Sequence, residues 1–155
     1  MDTADSKALS VLMQNGRTSW AVLGEELGLS APAAAERVRK MEEAGIIRGY
    51  AAIVDPLQVG CPLTAFIAIT LGATTTREQF LARIEMIPEV LECHHVTGDD
   101  DYLLKIRCAG TLDLDRLLND EFKARLGVSR SRTTIVLKSS KETTKVPIAP
   151  VSGKR

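Results

Sequence analysis

"VLECHHVTGDDDYLLKIRC", residues 90–108, decides how the second half of the chain folds. Residues 90–97 and 101–108 carry strand character, and Gly98 with Asp99 and Asp100 supplies the chemistry of a tight turn between them. The same stretch holds two imidazoles and three carboxylates, so catalysis or metal binding is to be looked for here first. On a strand His94 and His95 point to opposite faces and cannot share one ion. Asp99 and Asp101 can share a side of the turn, but the further oxygens and the later Glu of a calcium loop are missing. The chain has no GxSxG, P-loop or Rossmann glycine set. An enzyme therefore has little support, and neither a metal nor another cofactor is expected. As a polar turn, Gly98–Asp101 can also offer carboxylate and backbone N–H groups to a small zwitterion.

Outward from this hairpin, "TAFIAITL" (64–71) reads as a strand, "REQFLARIEMI" (77–87) and "LDLDRLLNDEFKARL" (112–126) as helices, and "SRTTIVLK" (131–138) as a last strand. The order βαββαβ predicts a ferredoxin-like sheet with both helices on one face. Alternation assigns Ile67, Ile69, Leu104, Ile106 and Ile135 to the helix side, and Phe66, Ala68, Leu103 and Val136 to the other. A strand apolar on both sides suits a sheet covered twice, so a homodimer is expected.

Before "DPLQVGCP" (55–62) the pattern is helical. Asp2 caps a first helix with an apolar stripe of Ala8, Leu9, Leu12 and Met13, and Gly16 stands where a left-handed stop is expected. A short second helix follows Ser19 and closes at Gly28; a third follows Ser30, with Pro32 in its first turn and Gly45 as its stop. Ala34, Val38 and Met41 form its inward stripe, leaving Ala33, Glu36, Arg37 and Lys40 outward. Small residues near its start and bases further along suit a helix lying in a DNA major groove. A three-helix bundle with a solvated charged face remains the alternative, since Glu36, Glu42 and Glu43 nearly cancel the bases. "IIRGYAAIVD" (46–55) then reads as one or two short strands, a wing carrying Arg48.

The organisation expected is α+β: a helix-turn-helix domain at 1–45, a wing or hinge strand with linker at 46–62, a βαββαβ domain at 63–138 and a basic tail at 139–155. In that tail Lys141, Lys145, Lys154 and Arg155 face only Glu142, and Pro147 and Pro150 break any long element. With 155 residues, 45% hydrophobic and 26% charged, the chain can bury its own core. Twenty Lys+Arg balance 20 Asp+Glu, so any DNA-binding field must be local. Three cysteines without CxxC spacing argue against disulfides or a zinc knuckle, and the acidic N-terminus is unlike a signal peptide. With no run of 18 apolar residues to span a membrane, a cytoplasmic protein is expected.

The order of parts resembles the Lrp/AsnC, or feast/famine, transcriptional regulators, from about Asp2 to about Val146. The resemblance is carried by "NGRTS", "LGLS", "ERVRKMEEAGIIRGYAAIVDP", "VLECHHVTGDDDYLLKIR" and "RSRTTIVL" together. It implies a DNA-binding helix-turn-helix joined to an effector domain, assembled as dimers and often as rings of dimers such as octamers. It further implies that Ser30, Ala31, Pro32, Ala33, Glu36, Arg37, Arg39 and Lys40 approach double-stranded DNA, with Arg48 on the adjoining strand, and that residues 46–54 form a hinge that often pairs with a partner subunit. An amino-acid effector is implied between dimers, near Gly98, Asp99, Asp100, Asp101, Tyr102 and Leu103 and near Thr133, Thr134 and Ile135. Asp100 departs from the aromatic or apolar residue frequent in relatives, which points to a polar or cationic effector, or to none. Two other readings stay open: a sensing or oligomerisation module that does not bind DNA, and a metal-dependent enzyme built on Asp99–Asp101.

Overall fold

The computed structural model describes residues 1–149. These divide into two compact units, one of Met1–Ala52 with residues 141–149, the other Ile53–Ser140.

The first unit is three helices: α1 (Thr3–Gln14), α2 (Trp20–Leu27) and α3 (Ala31–Glu43). Each starts at a residue whose side chain accepts a backbone N–H: Asp2 from Asp5, Ser19 from Val22 and Ser30 from Ala33. Ala8, Leu12, Leu23, Ala34, Val38 and Met41 bury against one another and form its core. Gly28 (φ 67°) ends α2 in the left-handed conformation, and Gly45 (φ 69°) does the same after α3. Gly16 does not, because α1 is closed by Asn15 in extended geometry. Gly24 works by absence of a side chain: a Cβ there would stand 2.8 Å from the Leu29 carbonyl oxygen, so the α2–α3 turn folds directly onto α2.

The expected strand at 46–54 is not formed. Residues 48–55 have no regular structure, and Ile53 (89%), Val54 (57%) and Tyr50 (53%) are exposed. A strand needs a neighbour to receive its N–H and C=O groups, and this segment has none among the described residues. Tyr50 is tied to its own unit: its hydroxyl donates to Glu42 Oε1 at 2.8 Å.

The second unit is β1 (Leu63–Leu71), α4 (Arg77–Ile84), β2 (Val90–His95), β3 (Tyr102–Cys108), α5 (Thr111–Arg116) and β4 (Val128–Ile135). The sheet order is β2-β3-β1-β4 with antiparallel neighbours. Ala65, Ile67, Ile69, Leu104 and Ile106 bury on the helix side with Phe80, Leu117 and Phe122. The expected helix at 112–126 changes winding, since α5 continues as a π-helix over Leu117–Arg125. Buried Leu117 and Phe122 are five apart, a spacing that wider turns bring to one side where α winding would bring Glu121 inward.

β4 lies three residues earlier than its apolar "IVL" run suggests. Gly127 (φ 61°) begins it, its carbonyl accepting from Gly72 N–H at 2.9 Å. Pairing ends near the start of β1, where Val136 N–H reaches the Thr64 carbonyl at 2.9 Å. Leu137 is left 98% exposed, and Ile135, opposite Ala65 on the helix side, is 44% exposed.

The opposite face of the sheet is less apolar than the alternation implies. Register places Phe66, Ala68 and Leu103 there together with Lys105, Arg107, Arg130 and Arg132. Of that apolar centre Phe66 remains 36% exposed.

Candidate functional site

α3 carries most of the residues expected at DNA. Ser30 Oγ accepts the Ala33 N–H at 3.3 Å, and Pro32 sits in the first turn, where a missing N–H leaves no helical bond unmade. With Ala34, Val38 and Met41 turned inward, Pro32, Glu36, Arg39 and Glu43 form the opposite crest. Arg39 donates to Glu36 through Nε (2.8 Å) and Nη2 (2.6 Å), and to Glu43 through Nη1. Lys40 Nζ is 3.7 Å from Glu36. These neighbours hold the Glu36 carboxyl below its ordinary value, chiefly through the Arg39 hydrogen bonds.

Ala33, Glu36, Arg37 and Lys40 do share a groove, completed by Met1, Asp5, Met41 and Ile46. Within it Arg37 turns toward α1, its Nη1 donating to Asp2 Oδ2 at 2.8 Å and to Asp5 Oδ1 at 2.7 Å. The two carboxylates raise the guanidinium pKa, and Asp2 is held low, first by the Asp5 N–H and then by Arg37. Every base of α3 expected at DNA thus has a carboxylate partner. Arg48 is exposed and has no ion pair among the described residues. The sequence identifies Asp2 as the cap of α1 but misses Asp5 and the hold of both acids on Arg37, although the Asp-x-x-Asp spacing of a capping box was there to read.

The second constellation is the β2–β3 turn, which is stapled across β1 to β4. Gly98 takes φ +116°, where a side chain would be strained. The Asp100 carboxylate, only 12% exposed, accepts from Thr70 Oγ1 (3.3 Å), Arg130 Nη2 (3.3 Å) and Arg132 Nη2 (3.0 Å). Arg130 Nη2 also donates to the Asp99 carbonyl at 2.9 Å. Asp101 anchors the turn to β1 twice: its Oδ2 accepts Leu71 N–H and its N–H reaches the Ile69 carbonyl, each at 2.8 Å. Both guanidiniums are drawn onto Asp100, so the charge that the sequence sets at the turn is partnered from within the sheet.

The sheet also divides the residues expected around an effector. Leu103 and Thr134 face the open side, as Arg132 does, whereas Tyr102, Thr133 and Ile135 face the helices. The Tyr102 side chain cannot line an open turn: it is 2% exposed, stacked on Phe80 with centroids 4.6 Å apart and near His95 at 5.4 Å. Strand parity is the reason, because Tyr102, Leu104, Ile106 and Cys108 are all buried on one side of β3. Its hydroxyl has no hydrogen-bond partner among the described residues. Arg130, Arg132 and Thr70 were missed because their meeting with Asp100 depends on strand order rather than on local sequence.

The histidines separate as strand geometry demands. His95 pairs with Tyr102 and His94 with Leu103, on opposite faces, and His94 Nε2 lies 3.1 Å from Glu92 Oε2. Among the described residues no three His, Cys, Asp or Glu side chains gather to hold a metal, and no helix is long and apolar enough to cross a membrane.

Comparison with known proteins covers both units. Residues 1–48 match the winged helix-turn-helix DNA-binding family, and residues 64–146 match the Lrp/AsnC ligand binding domain. The leucine-responsive regulatory protein of Haemophilus influenzae is 38% identical over 145 residues, 92% of this chain and 87% of the relative. That of Escherichia coli is 36% identical over 150 residues, 96% of this chain and 92% of the relative. Among solved structures, a Neisseria meningitidis transcriptional regulator in complex with L-methionine superposes with a TM-score of 0.91 at 36% identity, covering 95% of this chain and 96% of the other. A feast or famine regulatory protein of Mycobacterium tuberculosis complexed with L-methionine gives 0.86 at 34% identity, covering 94% and 97%. A three-helix unit and a βαββαβ unit, each matched to its counterpart and in the same order, make this chain a member of the Lrp/AsnC family of transcriptional regulators.

Proposed function

We propose that this regulator binds specific duplex DNA through α3 as a homodimer or a ring of dimers, and that an amino acid bound near the β2–β3 turn shifts both its assembly and its DNA affinity. The observation that carries the reading is the joining of a Ser30-capped α3, its bases gathered on exposed ground, to the ligand-binding fold whose relatives have been solved with L-methionine. Two features support self-association. The open sheet face presents Phe66, Ala68 and Leu103, and the connector leaves Ile53 and Val54 exposed with no strand partner among the described residues. The working division is a reading domain at 1–45, a connector at 46–62, an effector and assembly domain at 63–138 and a basic tail at 139–155. Of the tail, Pro150, Lys154 and Arg155 lie outside the described residues.

Linkage makes the scheme testable, since an effector that changes assembly must change DNA affinity if the two are coupled. Titrating the full chain with common amino acids, methionine and leucine included, is expected to move both its light-scattering mass and its shift of duplex DNA. If neither moves with any of them, the effector role is wrong. If no duplex is retained even at low salt, the DNA role is wrong.

A further inference from the structure

Arg37 is held from one end only. Both of its ion-pair bonds use Nη1, and its Nε and Nη2 bond no other described residue. The two acids that hold it are themselves fixed, because each spends its other oxygen on the capping box: Asp5 N–H donates to Asp2 Oδ1 and Asp2 N–H to Asp5 Oδ2, both at 2.8 Å. Four hydrogen bonds thus use all four carboxylate oxygens once. The guanidinium is thereby fastened to the capped start of a neighbouring helix, while its side chain keeps 34% exposure in the groove beside Ala33 and Lys40.

A long arginine free in solvent loses rotamer entropy when it engages a ligand, and a fork already clamped loses less. We propose that Asp2 and Asp5 are positioning residues for DNA recognition: they hold Arg37 by Nη1 so that its Nε–Nη2 edge is a ready donor fork for a pair of acceptors on DNA. The acceptors share one chemistry, either guanine O6 and N7 or two phosphate oxygens. This rests on the reading that α3 meets DNA. It also reverses the ordinary expectation for acids beside a DNA-binding helix, which is repulsion alone.

The test uses the full-length protein, a duplex enriched by the wild type from a randomised pool, and a scrambled duplex of equal length. The variants are Asp2→Asn with Asp5→Asn, Arg37→Ala, and all three together; asparagine keeps a side-chain oxygen to cap α1. Thermal melts confirm that each variant is folded at the assay temperature. In the presence of Arg37 the Asn pair is expected to weaken binding of the enriched duplex roughly tenfold, the scale of one good bidentate contact. In the Arg37→Ala background the same pair is expected to strengthen binding, because only the repulsive charge is left to remove. A change of the same sign in both backgrounds overturns the proposal, since a purely structural or purely repulsive role gives that result. Substituting 7-deazaguanine or neutral methylphosphonates in the enriched duplex identifies the acceptors: whichever erases the wild-type advantage carries the contact, and if neither does, the proposal fails. Failure of the wild type to enrich any duplex overturns the DNA reading itself.

Discussion

Along the crest of α3 the ion pairs run between residues three and four apart, and Glu36, Arg39 and Lys40 keep about half or more of their side chains in solvent (47%, 53% and 69%). At the β2–β3 turn the pairs join residues thirty or more apart, and the Asp100 carboxylate is 12% exposed. Exposed helical pairs are weak and screened, so a DNA phosphate can take the place of a glutamate at little cost. A carboxylate withdrawn from water and shared by two arginines across the sheet is not exchanged so readily. The first arrangement keeps bases in reserve; the second fixes the shape of a turn.

Removing both Arg130 and Arg132 by alanine should make the largest difference between the regions, because it strands Asp100 with only the Thr70 hydroxyl. With the arginines themselves mostly exposed, a loss of about 2 kcal/mol is expected, well under the full cost of breaking a buried pair, and urea unfolding measures it. Asp101→Ala should cost about 1–1.5 kcal/mol by leaving Leu71 N–H without its acceptor, and should loosen the turn in amide exchange. On α3, Glu36→Gln with Glu43→Gln should leave the unfolding midpoint unchanged and raise affinity for unselected duplex severalfold at low salt, the gain vanishing as salt rises. A loss of stability like that of the arginine pair would show that the crest is structural after all.

Acid titration gives the smallest effect and the sharpest sign. Asp2, Glu36 and Glu92 all have pKa values lowered in the fold, by the Asp5 N–H and Arg37, by Arg39, and by His94 with Lys105. A lowered carboxylate pKa adds stability that is fully present above the unfolded value and lost as pH falls through the folded one. Stability should therefore be level near neutrality and decline only below the ordinary values of 3.8 for Asp2 and 4.5 for the two glutamates. A decline already complete at pH 6 would assign the acid sensitivity to other groups.

What local pattern controls was legible in the sequence. Ser19, Ser30, Gly28 and the Ala34–Val38–Met41 stripe state the three helices within a few residues of themselves, and His94 and His95 separate by strand parity alone. What depends on distant partners was not. The connector reads as a strand because its residues favour one, yet it has no strand neighbour among the described residues. β4 was displaced toward its apolar run because Gly72 and Gly127, which set its beginning, are far apart in sequence. Tyr102 was placed at the turn by adjacency, while its parity sends the ring into the core. The partners of Asp100 are not legible beside it, because its two arginines arrive from a strand on the far side of β1.

The π-wound segment also has a consequence for changes in chain length. Leu117 and Phe122 now reach the core with four residues between them; deleting one of those four would set them at the α-helical interval with both side chains still inward. An added residue there has no such compensation and would turn Phe122 toward solvent. Lengths at this position should therefore vary among related chains in one direction only, toward the shorter and more regular helix.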